Sequence, residues 1–155
     1  MRPQAIARSD VQSVEELEQN ILNLSTRINA ETYELLVLIR EFDQRGGYLK
    51  WGLDNTVAWL AWRCDLADGT AREKVRVARA LGDLPVMSSH FATGALAYSK
   101  VRSLTRVATK KNEAELVAFA FKHTASQVAE YCSTLTMGRP DSINVAERAF
   151  LNRSL

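Results

Sequence analysis

The sequence predicts an all-α fold: a helical bundle of about eight helices with a long N-terminal helix and an embedded helix-turn-helix-like unit. Three observations carry this. Apolar residues recur at spacings of three and four from Val14 to Phe42. Helix-capping patterns recur along the chain, and no segment sustains the alternation of period two that a half-buried strand requires. Only 3 prolines and 7 glycines interrupt 155 residues.

The long helix opens at Ser13, which with Glu16 makes a capping box. Val14, Leu17, Ile21, Leu24, Ile28, Leu35, Leu38 and Phe42 then form a seam, with Glu31 as its polar member. Gly46-Gly47 stops it. The result is a helix of about 30 residues, roughly 45 Å long, with a candidate kink near Asn29-Ala30. Such a helix either serves as the spine of a bundle or pairs with a second chain. In the second case Leu17, Ile21, Leu24, Ile28 and Leu35 are the interface of a homodimer, and Arg27 is placed to neutralise Glu31. Leu22, Leu36, Val37 and Ile39 widen the apolar stripe, which fits contact with more than one neighbour.

After the loop "GGYLKWGLDN", Asp54 or Asn55 caps "TVAWLAWRC", and Asp68 or Thr70 caps "GTAREKVRVARAL". A short helix around "VMSSHFA" ends at Gly94, and Ser99 opens "KVRSLTRVAT". Asn112 with Glu115 and Thr124 with Gln127 are two further capping boxes. A last helix covers "SINVAERAFLNRS". This organises the chain as a flexible N-terminus over 1–12, the long helix over 13–47, and a helical core over 48–137. Within the core the helix-turn-helix-like unit spans 55–82, and 138–155 is a helix leading to a further C-terminal domain. The expected core comprises Trp59, Trp62, Val75, Leu81, Leu104, Val107, Leu116, Phe119, Val128 and Leu135, each on the apolar side of its helix.

Charge is unevenly spread. Residues 46–111 hold 11 Lys/Arg against 5 Asp/Glu, a balance of +6, while 1–45 balance at −3 and 112–155 at −1. In "CDLADGTAREKVRVARAL" the residues Ala71, Val75 and Ala78 share one helix face, while Arg72, Arg76 and Arg79 share the neighbouring one. Lys74 lies in the same run, and Lys100, Arg102 and Arg106 follow on the next basic segment. Two short helices joined by a tight turn, the second bearing arginines, suit phosphate and base-edge contacts in a major groove. Arginine suits that task because its planar fork grips phosphate or guanine with two hydrogen bonds. The bland alternative is a solvated helix face, and the helix offers no Asn or Gln for base reading.

Other chemistries find no support. Cys64 and Cys132 are read as a reduced, core-packed pair, and no CxxC or HxxxH spacing exists. His90 and His123 fall on separate helices, as surface or capping residues. No nucleophile–base constellation and no glycine-rich phosphate loop can be read. No apolar run approaches a membrane span, and the start "MRPQAIARSD" lacks the apolar stretch of an export signal, so the expectation is a cytoplasmic protein without membrane contact. Neither a metal nor a small-molecule cofactor is expected in this chain.

The segments "WLAWRC", "GTAREKVRVARAL", "GALAYSKVRSLTRVAT" and "EAELV", within a stretch from about Ala30 to Leu135, resemble the domain-of-unknown-function 222 family, the 13E12-repeat-like proteins. The resemblance implies a bacterial, nuclease-associated helical module that precedes an HNH endonuclease domain. It implies DNA as the partner and a divalent metal only in that HNH domain. It supplies no catalytic residue for this region. The chain's end, "AERAFLNRSL", falls inside a predicted helix, consistent with a domain to follow.

Overall fold

The computed structural model describes residues 11–137, and among them every regular element is helical. Seven α-helices are seen: α1 Val14–Gln44, α2 Thr56–Arg63, α3 Asp68–Leu81, α4 Pro85–Ala92, α5 Tyr98–Leu104, α6 Glu113–Phe121 and α7 Ala125–Met137. A single 3₁₀ turn, Gly47–Trp51, joins α1 to α2. The expected last helix at "SINVAERAFLNRS" and the flexible terminus before residue 11 lie outside the described residues.

The long helix forms as one uninterrupted element of 31 residues, without a break at Asn29-Ala30. Its capping box is complete: Glu16 N donates to Ser13 Oγ and Ser13 N to Glu16 Oε1, both at 3.0 Å. The Thr124–Gln127 box forms in the same way, and Asn55 caps α2 by accepting from Ala58 N at 2.8 Å. Two expected caps do not form. Asn112 turns back to accept from Thr109 N and to donate to Val107 O, so it leaves the start of α6 uncapped by a side chain. α3 begins one residue after Ala67, and neither Asp68 nor Thr70 caps it. Asp68 instead lies in the first turn, where its charge complements the helix dipole.

α1 buries side chains only in its C-terminal half, and its backbone at Thr26 also lies against the turn at Gly94. Leu36 and Ile39 are buried where α1 packs on α3 and α4. α2 packs on α3, α4 on α6, and α5 on α7. Phe91 of α4 is wholly buried and stacks edge-on to Tyr33 of α1, with ring centroids 5.5 Å apart. Val75, Leu81, Leu104, Leu116, Phe119 and Val128 are core, as the periodicity predicts. Trp59, Val107 and Leu135 are only partly buried against it. Trp62 corrects the expectation outright: it is 55% exposed. α2 buries Thr56 and Leu60, four residues apart, and position 62 lies about 200° around the helix from Leu60.

A neglected carboxylate holds α4 in place. α4 starts at Pro85 with no side-chain cap of its own, and the buried Glu113 of α6 accepts from Met87 N at 3.0 Å. One other expectation is also revised. Cys132 is buried, which pushes its thiol up to about 12, but Cys64 is exposed rather than core-packed. The histidines are half-buried and rest on rings, His90 edge-on to Phe121 and His123 stacked on Phe119 at 3.9 Å, and His123 Nδ1 caps the end of α6 at the carbonyl of Phe119, 2.9 Å away, in the capping role expected of it.

Candidate nucleic-acid interface

α2 and α3 are joined by the four residues Cys64 to Ala67 and pack against each other, so the two-helix unit expected from the sequence exists as a local arrangement. α3 buries Ala71, Val75, Val77, Ala78 and Leu81, and its small side chains let α1 and α2 approach closely. The arginines are displayed on the remaining surface, but nearly all of them are engaged within the chain.

Glu73 is the hub. Arg76, one turn along α3, grips it with both Nε and a terminal nitrogen, at 3.1 and 3.0 Å. Arg102 of α5 donates its Nε at 3.0 Å, and Arg106, just beyond α5, donates a terminal nitrogen at 2.9 Å. Arg76 also ties α3 to the far end of α5 through Thr105 Oγ1 and the carbonyl of Arg102. These donors hold the Glu73 carboxyl down at about 2, led by the hydrogen bond from Arg76 and opposed by partial burial. Three guanidinium groups against one carboxylate leave two positive charges, and Arg102 and Arg106 keep 53% and 49% of their side chains exposed.

The other basic residues divide by partner. Arg79 reaches back to α1, donating to both oxygens of Asp43 at 2.8 and 3.1 Å, while Thr56 Oγ1 donates to the same carboxylate. The Arg79 hydrogen bond holds the Asp43 carboxyl below its ordinary range, and Asp43 in turn raises Arg79. Lys74 lies 3.8 Å from the centroid of the Tyr98 ring, and burial followed by the nearby Arg102 charge lowers its ammonium. Lys100 donates to the carbonyl of Ala120 at the end of α6. Arg72 makes only a loose, exposed pair with Asp68 at 3.7 Å. Arg72 is therefore the least engaged of the expected contacts, and Arg102 and Arg106 share one carboxylate with Arg76 and so carry the excess charge. Arg76, Arg79 and Lys100 brace one helix against another.

The residues singled out as an oligomer interface are displayed. Leu17, Ile21, Leu24, Ile28 and Leu35 are 42–66% exposed, in a row with exposed Val14, Leu22 and Leu38. Glu31 is exposed too, and Arg27 forms no ion pair with it among the described residues. At its C-terminal end the row runs into a groove of about 640 Å³ lined by Leu35, Leu38, Phe42, Trp59 and Cys64 among others.

Sequence reasoning missed the two carboxylate hubs, Glu73 and Asp43, and an exposed aromatic cluster. Trp51 and Trp62 meet edge to face at 5.5 Å, with Arg63 over both rings and Lys50 over Trp51. The adjacent pairs Lys50-Trp51 and Trp62-Arg63 are the signal that could have found this cluster, but the spacing of three sets Trp62 with Trp59 on one apparent apolar face, and Trp51 falls in a loop.

Among the described residues no three His, Cys, Asp or Glu side chains gather closely enough to hold a metal ion. No described helix is long and apolar enough to cross a membrane. No curated protein and no solved structure matches the chain. The family model for the domain of unknown function DUF222 matches residues 15–148, nearly the whole helical assembly, and the chain belongs to that family.

Proposed function

We propose that this chain is a non-catalytic module that binds or positions duplex DNA for an HNH endonuclease domain of the same protein. The observation that carries the reading is the Glu73 cluster, which keeps two uncompensated positive charges on a rigid, half-exposed platform shared by α3 and α5. Fixed guanidinium groups suit phosphate because they are held in position before the ligand arrives. Any divalent metal belongs to the HNH domain, and the setting is the bacterial cytoplasm.

The test is fluorescence anisotropy with a labelled duplex over a salt series. Changing Arg72, Arg102 and Arg106 together to Ala removes the loosely paired Arg72 and the two excess cations of the Glu73 cluster, and leaves Arg76 and Arg79 to brace the fold. Binding should weaken, and the slope of log affinity against log salt should fall by about 2–3. A wild-type protein without salt-sensitive duplex binding at low ionic strength would sink the reading.

A second reading, association of two copies through α1, is favoured by the exposed apolar row alone. Patches of this kind on soluble proteins mark interaction sites. Light scattering at tens of micromolar should then give a dimer, and Ile21→Glu with Leu24→Glu should give a folded monomer. A monomeric wild type at that concentration eliminates this reading.

A further inference from the structure

We propose that the Trp51–Trp62 cluster is a second nucleic-acid site, one that stacks unpaired bases of a single strand. It stands apart from the duplex reading and does not depend on the Glu73 platform.

Both tryptophans are exposed, at 46% and 55%, in a chain that buries Tyr131 and Phe91 almost entirely. Trp51 ends the 3₁₀ turn after α1 and Trp62 lies on the last turn of α2, so two separate elements bring them together. They meet at a ring-centroid distance of 5.5 Å and an interplanar angle of 71°. That geometry turns the two indole planes in different directions, and a base stacking on either ring would take the place of the exposed cation now over it.

The cations around them distinguish this cluster from a stray apolar patch. Arg63 lies 5.0 Å from the Trp62 centroid and 5.6 Å from that of Trp51, and Lys50 lies 5.1 Å from Trp51. Ion pairs occupy Arg45, Arg72, Arg76, Arg79, Arg102 and Arg106, but among the described residues neither Lys50 nor Arg63 pairs with a carboxylate. Their charge remains for a ligand. An exposed aromatic ring with an unneutralised cation over it supplies the two groups single-strand recognition uses: the ring takes the base, and the displaced cation takes the phosphate. A duplex keeps its bases stacked inside and offers such a site only its phosphates. Beside a nuclease domain, the cluster would hold a strand end or an unwound segment.

The experiment is titration of the full chain with a twelve-nucleotide oligothymidylate, followed by quenching of tryptophan fluorescence and by anisotropy of a labelled strand. Wild type should bind with salt-sensitive affinity. Trp62→Ala should weaken binding about tenfold or more, Trp62→Phe should restore most of it, and Arg63→Ala should lower the salt slope by about one. The Arg102→Ala, Arg106→Ala protein should bind the single strand like wild type while losing duplex affinity, so each reading can fail alone. Trp62 is exposed, so its removal should leave the helical circular dichroism intact. Lys50→Glu with Arg63→Glu, which leaves both rings in place, should also abolish binding. Absence of oligothymidylate binding at low salt overturns the proposal. So does Trp62→Ala binding as tightly as wild type, or a fluorescence response to anionic phosphatidylserine vesicles but not to the strand.

Discussion

Replacing Gly94 by alanine should cost about 3–5 kcal/mol and lower the melting temperature by roughly 10 °C or more. Gly94 closes α4 in a Schellman arrangement, with its own N–H bonded to Phe91 O at 2.9 Å and the N–H of Ala95 to His90 O at 3.0 Å. Its φ of +86° is a conformation that L side chains rarely adopt, which is the first component of the penalty. The second is contact. A Cβ at this position would fall 2.3 Å from the carbonyl oxygen of Thr26 and 2.7 Å from its methyl carbon. Main chain cannot rotate out of the way as a side-chain tip can, so α1 and the end of α4 must separate. Asn29, which donates to Gly94 O at 3.2 Å across the same junction, would lose its partner. Thermal melting by circular dichroism measures the loss. A shift below about 3 °C would show that α1 does not lie on this turn.

That junction also marks where sequence reading stops. Gly94 is legible as a helix stop, because a C-terminal glycine acts through its own backbone. Its close approach to Thr26, 68 residues earlier, is a property of the fold. The same division runs through the caps. Ser13–Glu16 and Thr124–Gln127 each span three residues and can be read from the pattern. Asn112–Glu115 has the same spacing, but Asn112 finds better partners in the preceding turn at Thr109 and Val107. The basic surface shows the larger gap. Arginines at spacings of three and four identify a charged face, but which of them a ligand can reach depends on distant carboxylates. Arg79 meets Asp43 and Arg106 meets Glu73 across 36 and 33 residues. Trp62 was misplaced for a related reason. Its spacing of three from Trp59 suggests one apolar face, yet a helix of eight residues needs only the narrow strip at Thr56 and Leu60 to pack.

Removing the carboxylate of Glu73 should be the other costly change, by about 2–3 kcal/mol for Glu73→Ala. Hydrogen bonds to charged groups contribute about 1.5–3 kcal/mol each, and Arg76, Arg102 and Arg106 all donate to this one group. The exposed guanidinium groups recover part of that from water, so the sum is not lost in full. What remains is three like charges converging on an empty centre between α3 and α5. Acid should reproduce part of the loss in the wild type. The folded carboxyl titrates at about 2 against an ordinary 4.5. Its contribution to stability is therefore complete above about pH 4.5 and disappears as pH falls through about 2. Glu73→Gln should flatten that limb of a stability–pH curve measured by urea unfolding, relative to wild type. The same variant should bind duplex DNA more tightly at neutral pH, because it frees one further positive charge on the platform while keeping the side chain's shape. Equal slopes between pH 2 and 4.5 for the two proteins would mean that the arginines do not hold Glu73 in solution. Weaker duplex binding by Glu73→Gln would count against the platform as the DNA contact.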